Sequence, residues 1–100
     1  MSYITTVSGI HFYPLNPNPD DIDISDIAHA LSLICRANGH FKYFYSVAQH
    51  CIACAEEAIE RGYSLEVTLG CLLHDASEAY LCDVTPVSYT HLTLPTILLV

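Results

Sequence analysis

The stretch Leu72-Leu73-His74-Asp75-Ala76-Ser77-Glu78, taken with His50 in Ser46-Val47-Ala48-Gln49-His50, constrains this chain more than any other feature. An adjacent His-Asp pair closes an apolar run, and a second His stands one helical segment upstream. Residues three and four apart share a helix face. Glu78 is four residues after His74 and three after Asp75, so a continuous helix would point all three at one spot. His50 has apolar or small neighbours at Val47, Ala48, Cys51 and Cys54, which turns it inward as well. Two imidazoles and two carboxylates on packed helices are costly to bury without a shared partner. Imidazole and carboxylate are also the donors that hold a catalytic first-row metal while leaving part of its sphere open to water. A metal ion is the simplest shared partner. The alternative is a pair of buried histidines bonded to backbone, with Asp75 and Glu78 as solvated charges at a helix end.

The motifs SVAQH and LLHDASEAYLCD, at this separation, resemble those of the HD-domain metal-dependent phosphohydrolases, whose signature is His…His-Asp…Asp. The similarity runs from Ile22 to Thr85 and is strongest to the 5′-nucleotidase-like branch, where the pair also stands in an HDASE context. The resemblance implies an all-α helical bundle, here truncated, and hydrolysis of phosphomonoesters, nucleotides first among them. It implies that His50, His74 and Asp75 hold a divalent metal; a mixed nitrogen and oxygen set does not distinguish Mn, Co, Fe, Ni and Zn. Glu78 would orient or deprotonate the water, and Asp83 would act as general acid or base. Asp83 as a plain loop carboxylate after a helix fits the sequence equally well. Arg36 matches an Arg that contacts substrate phosphate in that branch, and a guanidinium fork suits phosphate oxygens. In the last turn of a helix it would equally complement the helix dipole. The family's final Asp ligand lies on a later helix, and no acidic residue follows Asp83 here.

Charge sets limits on partners. Three basic residues against eleven acidic ones give a formal net charge of −8, which disfavours a nucleic-acid backbone, since that partner requires clustered Lys and Arg. A small phosphorylated substrate remains compatible, because a metal and one or two cations supply the local positive field. A hydrophobic content of 52% with 14% charged residues argues for a packed globule over disorder, and 100 residues allow one domain with a modest core. A homo-oligomer of a longer parent is compatible with that size.

Five cysteines make an odd count, and no charged leader followed by an apolar segment precedes them. Cys35, Cys51, Cys54 and Cys71 fall on apolar faces of expected helices, so they read as core residues in a reducing cytoplasm. No apolar run reaches the roughly 18 residues of a membrane span. A rival chemistry is a structural or redox zinc module. Cys51-Ile52-Ala53-Cys54 with Cys71-Leu72-Leu73-His74 forms a CxxC…CxxH array, but the CxxC falls in mid-helix where such sites use a turn. A third possibility is an HD module that binds without catalysing.

In chain order, residues 1–21 form an N-terminal arm. Tyr3–Val7 and Ile10–Tyr13 read as a short hairpin about Ser8-Gly9, and LNPNPDD reads as a loop because its prolines interrupt any ladder or helix. The first helix should start at Ser25 as N-cap with Asp26 in its first turn, bury Ile27, Ala30, Leu31 and Ile34, and end at Asn38-Gly39. The second should run from Tyr43 to Arg61, closed by Gly62. Its expected stripe is Val47, Cys51, Ala55, Ala58 and Ile59, with Glu56, Glu57, Glu60 and Arg61 solvated. Tyr43, Phe44 and Tyr45 read as core in preference to a base-stacking wall. Ser64 should cap a third helix that turns Val67, Cys71 and Leu72 or Leu73 inward. The partial HD domain then spans residues 22–86.

From Val87 the character changes. VSYTHLTLPT resembles the translation of a transposase-type sequencing adapter, so residues 87–100 are expected to be an artefact tail, and His91 is no candidate ligand. The competing reading of HLTLPTILLV is an apolar strand. A bundle cut short at Pro86 should expose apolar surface.

Overall fold

The computed structural model describes residues 2–81, so Asp83 and the expected artefact tail lie outside the described residues. Among those residues the chain is mostly helical, with one short antiparallel hairpin. Strand β1 (Ile4–Thr5) pairs with β2 (His11–Phe12), Ile4 opposite Phe12 and Thr5 opposite His11. The strands are shorter than their sequence suggests because the turn is wide. Thr6 N–H donates to the Ile10 carbonyl, and the Thr6 hydroxyl accepts from Ile10 N–H at 3.1 Å. Gly9 closes the turn at φ +91°, a conformation that favours glycine. Two contacts anchor the arm. Ser8 Oγ donates to the buried Asp26 carboxylate at 2.7 Å, and Phe12 packs on Tyr80 with ring centroids 4.3 Å apart.

Helix α1 (Ile24–Leu33) begins earlier than Ser25. Asp23 is the N-cap, and its carboxylate accepts the Ser25 N–H at 2.9 Å, so Ser25 sits inside the helix as a donor. The helix also ends earlier, at Leu33. Ile34 turns extended, and Cys35 forms an isolated antiparallel bridge with Ser46. In that bridge Val47 N–H donates to Ile34 O at 2.9 Å and Arg36 N–H donates to Tyr45 O at 2.7 Å. The left-handed conformations expected at Asn38 and Gly39 are present at φ +54° and +84°, but they belong to a separate 3-10 turn over Arg36–Gly39. Arg36 is therefore not in the last turn of the first helix.

Helix α2 (Val47–Glu60) starts at a capping box: Ser46 Oγ accepts Gln49 N–H at 3.0 Å, and Gln49 Oε1 accepts Ser46 N–H at 2.8 Å. Its start at Val47 instead of Tyr43 leaves Phe41, Tyr43 and Phe44 in a loop, where they are exposed rather than core. At the other end Gly62 adopts φ +76°, while Tyr63 N–H reaches Ala58 O and Gly62 N–H reaches Ile59 O. This Schellman closure satisfies the last carbonyls and turns the chain back. Ser64 then caps α3 (Leu65–Leu73) as expected, its hydroxyl accepting Val67 N–H at 3.2 Å.

The core is Ile27 and Leu31 of α1 against Val47 and Cys51 of α2, with Ile34, Ala48, Leu72, Ala76, Ala79 and Tyr80 packed around it. Helix α2 lies along α3, and α1 contacts both α2 and the short α4 (Glu78–Leu81). Three positions depart from the expected stripes. Ile59 and Val67 are exposed, and so is Cys35, which the bridge holds at the surface; of Leu72 and Leu73, it is Leu72 that packs on the core. On α3 the inward position belongs to Thr68, whose hydroxyl donates to the Ser64 carbonyl at 3.0 Å and so can be buried without loss of its hydrogen bond.

Candidate metal centre

The antiparallel pairing of α2 and α3 brings the two histidines together. His50 lies one turn into α2, four residues after its cap, and His74 and Asp75 follow the last turn of α3. His50 Nε2 is 3.2 Å from His74 Nε2, His74 Nε2 is 3.1 Å from Asp75 Oδ2, and His50 Nε2 is 3.6 Å from Asp75 Oδ2. Ligands held about 2.0–2.2 Å from a tetrahedral ion stand ~3.3–3.6 Å from one another. The His50–Asp75 separation of 3.6 Å meets that spacing, and the other two, at 3.2 and 3.1 Å, are slightly shorter. The side chains of His50 and Asp75 are about four-fifths covered, at 20% and 19% exposure, while His74 is 40% exposed and opens the cluster to solvent.

His74 is held in one orientation. Its Nδ1 lies 2.6 Å from the Cys71 carbonyl oxygen, so in the neutral ring Nδ1–H donates there and the Nε2 lone pair faces the cluster. A carbonyl behind a ligating imidazole is the usual support of a metal-binding histidine, because it fixes both tautomer and ring plane. The donor types, spacing and support all fit a first-row divalent ion.

Glu78 arrives by a different route from the one expected. The helix does not continue through it: after Leu73 the chain tightens, with Ala76 N–H on Leu73 O and Glu78 N–H on Asp75 O, before α4 begins. Its carboxylate still turns inward, for Oε1 is shielded from solvent. The Cys51 thiol reports both acids. Burial pushes its pKa up, and the charges of Asp75, Cys54 and Glu78 add to the rise, while the Asp75 backbone N–H opposes it. Besides His50–His74–Asp75, two further groups of three donors, His50–Cys54–His74 and Cys51–His74–Asp75, overlap at His74.

Cys54, expected in the core or in a CxxC…CxxH zinc array, lies beside the histidines. Its sulfur lies 3.6 Å from His50 Nε2 and 3.8 Å from Nδ1. The four-residue spacing from His50 carried that signal, since it sets both on one helix face. The CxxC…CxxH array does not assemble as such. Cys71 serves His74 through its carbonyl, and its sulfur enters none of these donor groups.

Arg36 stands apart from the donor cluster. It lines a cavity of about 240 Å³ together with Phe41, Lys42, Tyr43, Phe44 and Tyr45. The Cys35–Ser46 bridge ties this loop to the start of α2, and His50 follows about 6 Å further along the helix axis. Two of the chain's three basic residues therefore share one loop, whereas Arg61 is held by Glu57 at 2.7 Å on the far end of α2.

No protein-family model matches the chain. It is 49% identical over 84 residues to the uncharacterized protein YfdR of Escherichia coli K12, which covers 84% of this chain and 44% of that protein. It is 44% identical over 87 residues to an uncharacterized protein of Rhodobacter capsulatus, covering 81% of this chain and 44% of the relative. The chain thus spans less than half the length of these relatives.

Proposed function

We propose that this chain carries the His…His-Asp part of an HD-type metal centre and belongs to a metal-dependent phosphohydrolase acting on phosphomonoesters, nucleotides first among them. The observation that supports it is the convergence of His50 Nε2, His74 Nε2 and Asp75 Oδ2 within 3.6 Å of one another. A divalent ion held there would lower the pKa of a coordinated water toward neutrality and draw charge from a phosphate oxygen. The Cys71 carbonyl keeps the His74 lone pair aimed at the centre. Glu78, with its carboxylate oxygen shielded from solvent, is the group proposed to orient or deprotonate the attacking water. Arg36, with Lys42 beside it, is proposed to hold substrate phosphate at the start of α2. Asp83 keeps its proposed acid-base role through the resemblance alone. Among the described residues no helix is long and apolar enough to cross a membrane.

The test is metal uptake followed by turnover. Chain dialysed against Mn2+, Co2+ or Zn2+ should retain a stoichiometric ion, and His50→Ala and Asp75→Ala should each weaken retention by at least about tenfold. Phosphate release from nucleoside monophosphates is followed on the same samples. Equal metal retention by wild type and both variants would refute the centre. Retention without phosphate release would make this chain a binding module.

A further inference from the structure

We propose that Cys54 supplies a thiolate to the centre, making a four-donor site of two imidazoles, one carboxylate and one sulfur that takes a thiophilic divalent ion, Zn2+ or Co2+. This rests on the metal centre proposed above and adds a donor of different chemistry.

The geometry carries it. A nitrogen about 2.0–2.1 Å and a sulfur about 2.3 Å from a tetrahedral ion stand ~3.5 Å apart. Cys54 Sγ is 3.6 Å from His50 Nε2, and the donor atoms of His50, Cys54 and His74 all lie within 4.8 Å of one another. Asp75 lies within 3.6 Å of both imidazole Nε2 atoms, and the donor groups that contain Cys54 and Asp75 share His74. His50 and Cys54 are held on one face of a continuous helix, one turn apart, so their relation does not depend on loop conformation. Cys54 is half-buried, shielded from bulk water without being locked away in the core. A thiolate moves preference from the oxygen-loving ions toward zinc and cobalt. As the ion binds, the Cys54 S–H bond breaks, its proton passes to solvent, and the sulfur lone pair forms the metal bond. Neither oxidant nor reductant takes part.

The probe is Co2+ titrated into the full chain and followed by absorbance. Wild type should develop the near-ultraviolet thiolate-to-cobalt charge-transfer band together with intense visible bands of tetrahedral cobalt. Cys35→Ser, at an exposed position outside the donor groups, should retain the charge-transfer band. Cys54→Ser should lose it and bind Co2+ at least about tenfold more weakly, with an unchanged helical circular dichroism spectrum. A band that persists in Cys54→Ser, or cobalt bound by wild type without the band, would overturn the thiolate and leave the His50–His74–Asp75 centre standing. Failure of wild type to bind Co2+ would overturn both. An independent readout avoids the variant: Zn2+ should slow alkylation of Cys54 in wild type, mapped by mass spectrometry, while exposed Cys35 reacts as before. Equal Cys54 alkylation with and without Zn2+ would also overturn it.

Discussion

His74 Nδ1 lies 2.6 Å from the carbonyl oxygen of Cys71, three residues back on the same helix. This contact assigns the tautomer of the ring that faces His50. In metal-free chain above the titration range of histidine, nitrogen-15 correlation spectra should show His74 as the Nδ1–H form, and Zn2+ should shift its Nε2 signal most. A dominant Nε2–H form would mean that the carbonyl does not set the ring.

The reciprocal cap of Ser46 and Gln49 positions His50, because it fixes where α2 begins. Ser46 is itself buried, at 3% exposure, so no water replaces its hydroxyl. Ser46→Ala should lower the unfolding free energy by about 1–2 kcal/mol. Urea unfolding measures that loss, and metal retention at His50 should weaken in the same variant. A variant as stable as wild type would show that the Cys35–Ser46 bridge alone defines the helix start.

Burial first, then the charge of Asp75, raises the Cys51 thiol above its ordinary value of 9.0. Between that value and the raised one, the folded chain keeps a proton that the unfolded chain has lost. Stability is therefore full below pH 9.0 and declines as pH rises through the raised value. In metal-free chain the melting temperature of wild type should fall with a steeper slope above pH 9.0 than that of Cys51→Ala. Parallel slopes would mean that Cys51 ionises as freely in the folded state as in the unfolded one.

Much of the helical plan was legible locally. Ser64 as a cap, Gly62 as a closure, and the stripe Val47, Cys51, Ala55 and Ala58 all follow from side-chain chemistry and helical spacing. The first helix was harder to bound, since Asp23 and Ser25 are both good caps and the choice depends on which residue is extended. Its end could not be found from Asn38-Gly39. A left-handed pair marks a turn, and here that turn follows a bridge, not a helix. Tyr43 and Phe44 misled for a related reason: aromatic residues before a helix suggest core, but the helix starts at the Ser46 capping box and leaves them exposed in the loop.

The sequence by itself singled out the candidate donors. His50, His74 and Asp75 stand out because imidazole and carboxylate on apolar helix faces need a partner, and that follows from residue type and periodicity. Only the tertiary structure decided their register, since a hairpin of helices can slide by a turn without changing either amphipathic face. The Schellman closure at Gly62 and the packing of Leu72 on the Val47–Cys51 core set it, bringing the two Nε2 atoms to 3.2 Å. Tertiary structure also admitted Cys54 to the cluster and broke the helix before Glu78. Each of those depends on which side chain fills a space shared by two helices, and no single helix contains that information.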